Sequence, residues 1–254
     1  MTPAEHQKAM KGLIDDVRAE TGQRTWEVFS DWIECAAISL SSPFPHRDRA
    51  EREKRFARHQ EQYGPGSMKR FAQLLGHLTM WLEAERTDAL GELFMSLDLG
   101  NDHAGQFFTP FEVSRLLVSL TINDTDLSER VQERGFITAN DPAVGAGGML
   151  IAFAERMRST GLNPQTQLHV TGTDVDITCV HMSHVQLTLL GVPAVIVHGN
   201  TLTLEERSHW FTPFHHLGHW NTRLKQPAAT PATPITVPAG RTEQTSLFEL
   251  EAVA

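Results

Sequence analysis

The chain reads Phe136-Ile137-Thr138-Ala139-Asn140-Asp141-Pro142-Ala143-Val144-Gly145-Ala146-Gly147-Gly148 across its middle, and this stretch decides the fold. A β-prone run, Phe136 to Asn140, stops at Asp141-Pro142 and passes into a glycine-rich turn. From Gly147 to Arg158 the residues Met149, Leu150, Phe153 and Met157 share one side of a helix. The alternation then repeats: a strand at Leu168 to Gly172, a helix at Asp176 to Leu190, a strand at Ala194 to Val197 closed by His198-Gly199-Asn200. Strand, helix, strand, helix, strand with short loops predicts a parallel α/β unit.

In an open parallel sheet, ligands sit beyond the carboxyl ends of the strands. Three loops fall there. In the first, Asp141 to Gly148, the glycines Gly145, Gly147 and Gly148 let a ligand approach the backbone, and the helix that follows offers free N–H groups to an anion. In the second, Gly172-Thr173-Asp174-Val175-Asp176, Asp174 is placed to accept hydrogen bonds from ribose hydroxyls. In the third, the amide of Asn200 is placed to meet an adenine edge. The competing reading is structural: Asp141 as a helix cap and Asp174 as a turn residue.

The first hundred residues read as helical. Met10, Leu13, Ile14 and Val17 form a sparse stripe within Ala4 to Glu20, and Trp26, Phe29, Ile33, Ala37 and Leu40 a denser one. Ser41-Ser42-Pro43-Phe44-Pro45 breaks the second helix. A charged helix follows to Gln62, with a turn at Gly64-Pro65-Gly66 before a further helix, Met68 to Ala84, and a short one at Leu90 to Leu97. Glu205 to Lys225 reads as a short helical or irregular packing segment. Pro227 to Pro238, rich in Pro, Ala and Thr, reads as a linker. Three regions result: 1–100 helical, 101–225 the α/β core, and 226–254 a tail.

Two motifs carry a family resemblance. Asp88-Ala89-Leu90-Gly91-Glu92-Leu93-Phe94 followed by Gly105-Gln106-Phe107-Phe108-Thr109-Pro110 resembles the entry to the catalytic domain of type I restriction modification subunits and related adenine-N6 DNA methyltransferases. The resemblance spans Asp88 to Leu202. It implies a truncated Rossmann-like core that binds S-adenosylmethionine and works on DNA. It also implies that Gln106, Phe108, Thr109 and Pro110 fold over the cofactor, that Asp141, Ala143, Gly145, Gly147 and Gly148 form the floor, that Asp174 takes the ribose, and that Asn200, within Gly199-Asn200-Thr201-Leu202, lies in the next motif.

The family's catalytic tetrapeptide, Asn-Pro-Pro-Phe or Asn-Pro-Pro-Tyr, grips the amino group of a base flipped out of the duplex. It does not occur in this sequence, and no catalytic residue is assigned. The nearest imitation, Phe211-Thr212-Pro213-Phe214, lacks the amide and reads as lacking a preceding strand. With three strands readable, the first becomes an edge, to be covered by Trp210 to Trp220 or by a second protein: a methyltransferase subunit or a second copy. Three roles follow: an active adenine methyltransferase, a cofactor-binding subunit without activity of its own, or an interaction protein.

A net charge of −9 excludes coating of nucleic acid by bulk charge. Within His46 to Arg58 the cations Arg47, Arg49, Arg52, Lys54, Arg55 and Arg58 alternate with acids, which reads as a solvated helix face or a weak DNA contact. His181, His184, His198, His209, His215, His216 and His219 meet no zinc spacing, so no metal is assigned. Cys35 and Cys179 read as small buried apolar residues, and with no signal pattern or long apolar run the expectation is the bacterial cytoplasm. In the tail, Gln244-Thr245-Ser246-Leu247-Phe248 resembles the pentapeptide by which bacterial proteins dock on the sliding clamp, through Gln244, Leu247 and Phe248.

Overall fold

A computed structural model describes residues 1–99 and 108–225, together with the backbone of Ile235 and Thr236. Gln106 and the tail residues Gln244, Leu247 and Phe248 lie outside the described residues.

The amino-terminal third is helical. Helix α1 (Pro3–Thr21) starts in a capping box made by Thr2 and Glu5, and its buried stripe is His6, Met10, Ile14 and Val17. Helix α2 (Thr25–Ser41) buries Phe29, Trp32, Ile33 and Ala37. Helix α3 (Arg49–Ala84) bends where Gly64 leaves helical geometry at φ 67, the position read above as a turn. Helix α4 (Ala89–Ser96) is capped by Asp88, whose side chain accepts the Gly91 N–H. Two helices not read from the sequence follow, α5 (Phe111–Thr121) and α6 (Asp124–Arg134).

The sheet begins with β1 (Ile137–Asp141). Helix α7 (Gly148–Ser159) and a helical turn, α8 (Pro164–Gln167), lead to β2 (Leu168–Asp174). Helix α9 (Ile177–Leu189) leads to β3 (Ala194–Asn200). The α/β reading is correct. Beyond it the reading needs correction: Glu205 to Phe211 is not irregular but a strand, β4 (Glu205–Phe211), antiparallel to β3, and the segment read as a linker contributes a two-residue strand. Two short helical pieces, α10 (Pro213–Leu217) and α11 (Trp220–Arg223), follow, then β5 (Ile235–Thr236). Among the described residues the strand order is β4-β3-β2-β1-β5.

Of the segment Trp210 to Trp220 expected to cover β1, Trp210 lies at the edge of β3 instead, while Trp220 stands edge-on to Phe136 just before β1, ring centres 5.1 Å apart. Along the β1 edge it is Ile235 and Thr236 that pair, in parallel, with Ala139 and Asn140. Thr212 locks β4 in place. Its N–H donates to Ala194 O at 3.0 Å and its hydroxyl to Val192 O at 2.9 Å, while Ala194 N–H donates to the same hydroxyl at 2.8 Å.

One continuous core runs from Met10 through α9 to Trp210. Helix α9 is buried around its circumference, packed between the sheet and α2. The sheet is covered unequally. Register places Ile137, Ala139, Leu168, Val170, Ala194 and Ile196 on one buried face. The opposite face carries Thr138, Asn140, Thr171, Thr173 and Val195, which are half-buried, and His169 and Val197, which are buried. That alternation is the habit of a sheet with one wet side, unusual in parallel strands. Helix α5 turns Val113, Leu116 and Leu120 outward, with exposures of 41%, 56% and 76%.

The basic segment is not uniformly solvated. Arg49 pairs with Glu53 on the surface, but Arg55 turns to Glu34 and Arg52 is buried. Its guanidinium lies 3.6 Å from the centre of the Trp210 ring and donates to His209 O at 2.7 Å, so α3 is fastened to the sheet's edge. Both cysteines are buried thiols. Among the described residues no three His, Cys, Asp or Glu side chains are grouped to hold a metal ion, and no helix is long and apolar enough to cross a membrane.

Candidate functional site

Strand alternation puts Asp141, Asp174, His198 and Asn200 on one face at the carboxyl ends of adjacent strands, with Asp141 beside Gly172 and Asp174 beside His198 in register. The loops that leave these ends are laced together. Asp141 Oδ1 accepts the Ala143 N–H at 3.1 Å, closing the Asp-Pro turn. Val144 N–H crosses to Thr173 O at 2.9 Å, and Gly145 N–H to Asp174 Oδ2, also at 2.9 Å. The other oxygen of Asp174 accepts the Asp176 N–H at 2.9 Å. From the third loop, the Thr201 hydroxyl donates to Pro142 O at 2.7 Å, and Asn200 Oδ1 accepts from Leu202 and Thr203. The His198 ring donates to Val175 O at 3.2 Å.

The two carboxylates differ in setting. Asp141 is 2% exposed, and burial raises its pKa to about 6, helped by the charge of Asp174 and opposed by the Ala143 N–H. Asp174 is half-buried, its pKa raised by burial and held back by the N–H groups of Asp176 and Gly145. An ionised carboxylate has about four acceptor positions, so the N–H groups of Asp176, Gly145 and Val175 still leave Asp174 capacity toward solvent.

Gly145 and Gly147 have φ of 53° and 98°, and the turn requires glycine at both. Their open sides were expected to admit a ligand, but protein fills them. A methyl group on Gly145 would meet Phe108 Cδ1 at 3.1 Å, and one on Gly147 would meet Ser183 Cβ at 3.2 Å. Phe108 stands edge-on to Phe94 of α4, ring centres 4.9 Å apart, and so bridges α4 and the loop. Thr109 and Pro110 are exposed at the start of α5, and Ala143 is exposed at the turn. Of the expected site, the strand-end residues and Phe108 come together.

Two participants escaped sequence reasoning. Asp88 was quoted within a motif with no role, and Gln186 was not singled out. The available signal was slight, since Gln186 stands between Val185 and Leu187 in a helix that also carries His181, Ser183 and His184. The segment Phe211 to Phe214 needs correction too. It does follow a strand, but an antiparallel one, so Phe211 pairs with Val195 near the start of β3. Asn200 is five residues further along, roughly 15–20 Å away at the rise of a strand. That end of the sheet faces away from Asp174.

Residues 93–220 match the family described as N-6 DNA Methylase. Among proteins of curated function, none matches this chain. Two solved structures are similar. A protein of Listeria monocytogenes assigned as a class I S-adenosylmethionine-dependent methyltransferase is 15% identical, with a TM-score of 0.43 over 78% of this chain and 54% of that one. The methyltransferase subunit of a type I restriction-modification system from Streptococcus thermophilus is 14% identical, with a TM-score of 0.37 over 76% of this chain and 57% of that one. The chain spans just over half the length of each.

Proposed function

Because the chain belongs to the N-6 DNA Methylase family, we propose that it is a cofactor-binding subunit for DNA adenine-N6 methylation that leaves the grip on the target base to another chain. S-adenosylmethionine is the cofactor that this membership brings. The observation that carries the reading is the lacing of three strand ends around Asp174, with Gly145 N–H held on its carboxylate at 2.9 Å.

The residues fit the group. Asp174 keeps acceptor positions for ribose hydroxyls. Gly145 and Gly147, whose N–H groups are taken by Asp174 and by Val144 O, shape the loop. With Gly148, the first turn of α7, whose cap Gly147 supplies no side-chain hydrogen bond, offers N–H groups to the cofactor's carboxylate. The Asn200 amide nitrogen is available for an adenine edge, and Asp141 and Ala143 shape the floor. Phe108, with Thr109 and Pro110, forms the cover, to which the family resemblance adds Gln106. Bound there, the cofactor supplies a methyl group activated by a sulfonium for transfer to nitrogen.

What this chain lacks is an acceptor to hold the amino group of the base while charge develops on it. Asn-Pro-Pro-Phe/Tyr is missing from the sequence, and Phe211 to Phe214 stands at the far end of the sheet. A partner would therefore supply that acceptor, as a second methyltransferase subunit or a second copy. Direct contact with DNA is then weak or made through the partner, in keeping with a net charge of −9. Work on DNA accords with the location expected from the sequence, the bacterial cytoplasm.

Calorimetric titration with S-adenosylmethionine, followed by transfer of labelled methyl to unmodified DNA, tests the reading. Binding without transfer supports it. No heat at millimolar cofactor overturns it.

A further inference from the structure

Helix α9 is buried nearly all round although it carries His181, Ser183, His184 and Gln186, and of these Gln186 has no exposed surface and bonds to two other elements. Its carboxamide uses three of its hydrogen-bonding positions on two different elements. Nε2 donates to Asp88 Oδ1 and to Ala146 O, each at 2.8 Å, and Oε1 accepts the Leu90 N–H at 3.0 Å. The amide's orientation is fixed by its partners, since Leu90 N–H can only donate and Ala146 O can only accept. Asp88 Oδ1 also takes the Gly91 N–H at 2.9 Å, so one carboxylate caps α4 and anchors the amide.

Ala146 O belongs to the peptide that leads into Gly147, whose φ is 98°. Holding that carbonyl blocks rotation of the peptide in the middle of the glycine loop. Ser183 is three residues before Gln186 on the same face of α9 and fills the side of Gly147. Asp88 Oδ2 lies 3.0 Å from where a methyl on Gly148 would sit. At its other end, α4 reaches the loop again through Phe94, Phe108 and Gly145. Helix α4 thus touches the loop at two points, one polar and one aromatic.

We propose that Gln186 is the positioning residue that sets the glycine loop for its cofactor and ties that loop to α4 through Asp88. The proposal rests on the cofactor reading above for its binding arm alone. A buried amide with both hydrogens satisfied holds one arrangement, where an apolar side chain of the same size would permit several.

Three variants in the full chain test it: Gln186→Met, Gln186→Glu and Asp88→Asn. The first readout is hydrogen–deuterium exchange of the free protein, comparing residues 142–150 with α2 and β3. The second is S-adenosylmethionine affinity. Gln186→Met should quicken exchange at 142–150, leave α2 and β3 unchanged, and weaken affinity about tenfold, the effect of unmaking buried hydrogen bonds. Gln186→Glu keeps the size and the acceptor but loses its donors at neutral pH. Its affinity deficit relative to wild type should shrink as the pH falls and its carboxyl regains a proton. Asp88→Asn keeps the accepting oxygen and should bind within about twofold of wild type. Exchange that rises equally in α2, β3 and the loop, or a Gln186→Met protein that binds like wild type, overturns the proposal. If wild type binds no cofactor but the loop alone loosens in Gln186→Met, the cofactor reading fails and the positioning role stands.

Discussion

His169 Nε2 and His215 Nδ1 lie 2.9 Å apart, and His215 donates from its other nitrogen to Asn221 Oδ1 at 3.1 Å. With Asn221 Oδ1 as its acceptor, His215 carries its hydrogen on Nε2, and His169 then donates from Nε2. Protonating His215 would set two N–H groups head to head. Burial, then the charges of His215 and Arg223, lowers the pKa of His169 to about 3. Burial likewise lowers His184 to about 4 and depresses His181 and His215.

Stability should therefore fall as the pH drops below 6.5. Between 6.5 and about 3 the unfolded chain binds a proton at residue 169 that the folded chain refuses, at up to about 1.4 kcal/mol per pH unit. Asp88 and Asp141, with pKa values raised to about 6, act in the opposite sense below that pH. The thermal midpoint should decline as the pH falls below 6.5, with protonation of the two carboxyls offsetting part of the loss. His169→Gln can still donate to His215 and should flatten the slope. Identical slopes in the two proteins would show that the pair does not titrate on unfolding.

Arg52 is expected to matter for stability and not for DNA. Burial brings its pKa to about 10, still charged at neutral pH. Arg52→Ala removes the stack on Trp210 and the bond to His209 O, and should lower the unfolding free energy by about 2–3 kcal/mol. Lysine lacks the planar fork and should recover little of it. Urea unfolding measures both, and a loss under half a kilocalorie, well below the value of one buried hydrogen bond, would refute the assignment.

Much of this fold was legible because its signals are local. The strand–turn–helix at Phe136 to Gly148 and the kink at Gly64 follow from residue type and spacing. Helix α5 was not legible, since Val113, Leu116 and Leu120 face outward and its periodicity marks no core. Strand β4 was missed because Glu205, Glu206 and Arg207 are exposed and its pairing depends on the distant lock between Thr212 and Ala194. Within the site, the strand-end residues were readable from loop position. The clasp on Ala146 was not, because it joins residues 88, 146 and 186, which no local pattern connects.

Asp174→Ala should weaken S-adenosylmethionine about tenfold or more, because Gly145 and Asp176 lose their acceptor together with the ribose. Titration calorimetry reads this directly, and an unchanged affinity would remove Asp174 from the site.

Gly145→Ala forces alanine to φ 53° and drives its methyl against Phe108. The backbone cost is about 1–2 kcal/mol, with the ring contact added. Adding Phe108→Ala should recover the contact portion alone, so the two changes should be non-additive in thermal unfolding. Simple additivity would mean that the ring does not rest on the glycine.

Pro213→Ala and Phe214→Ala should leave cofactor binding unchanged, since this segment lies at the opposite end of the sheet from Asp174. Labelled adenine produced by the isolated chain, and lost in these variants, would restore the segment to a catalytic role.

The tail carries its own test. Gln244, Leu247 and Phe248, outside the described residues, are proposed to dock on the sliding clamp. Polarisation measured with the host's clamp should fall on a Leu247→Ala, Phe248→Ala change. Equal signals would sink the idea.

The threonine-lined face of the sheet has a calorimetric consequence. Covering apolar surface makes the heat capacity of binding strongly negative, whereas covering polar surface moves it the other way. A partner seated on Thr138, Asn140, Thr171 and Thr173 would change it little. One that covers Val113, Leu116 and Leu120 on α5 would make it markedly negative. The temperature dependence of a binding enthalpy alone would thus report which side of this protein a partner has taken.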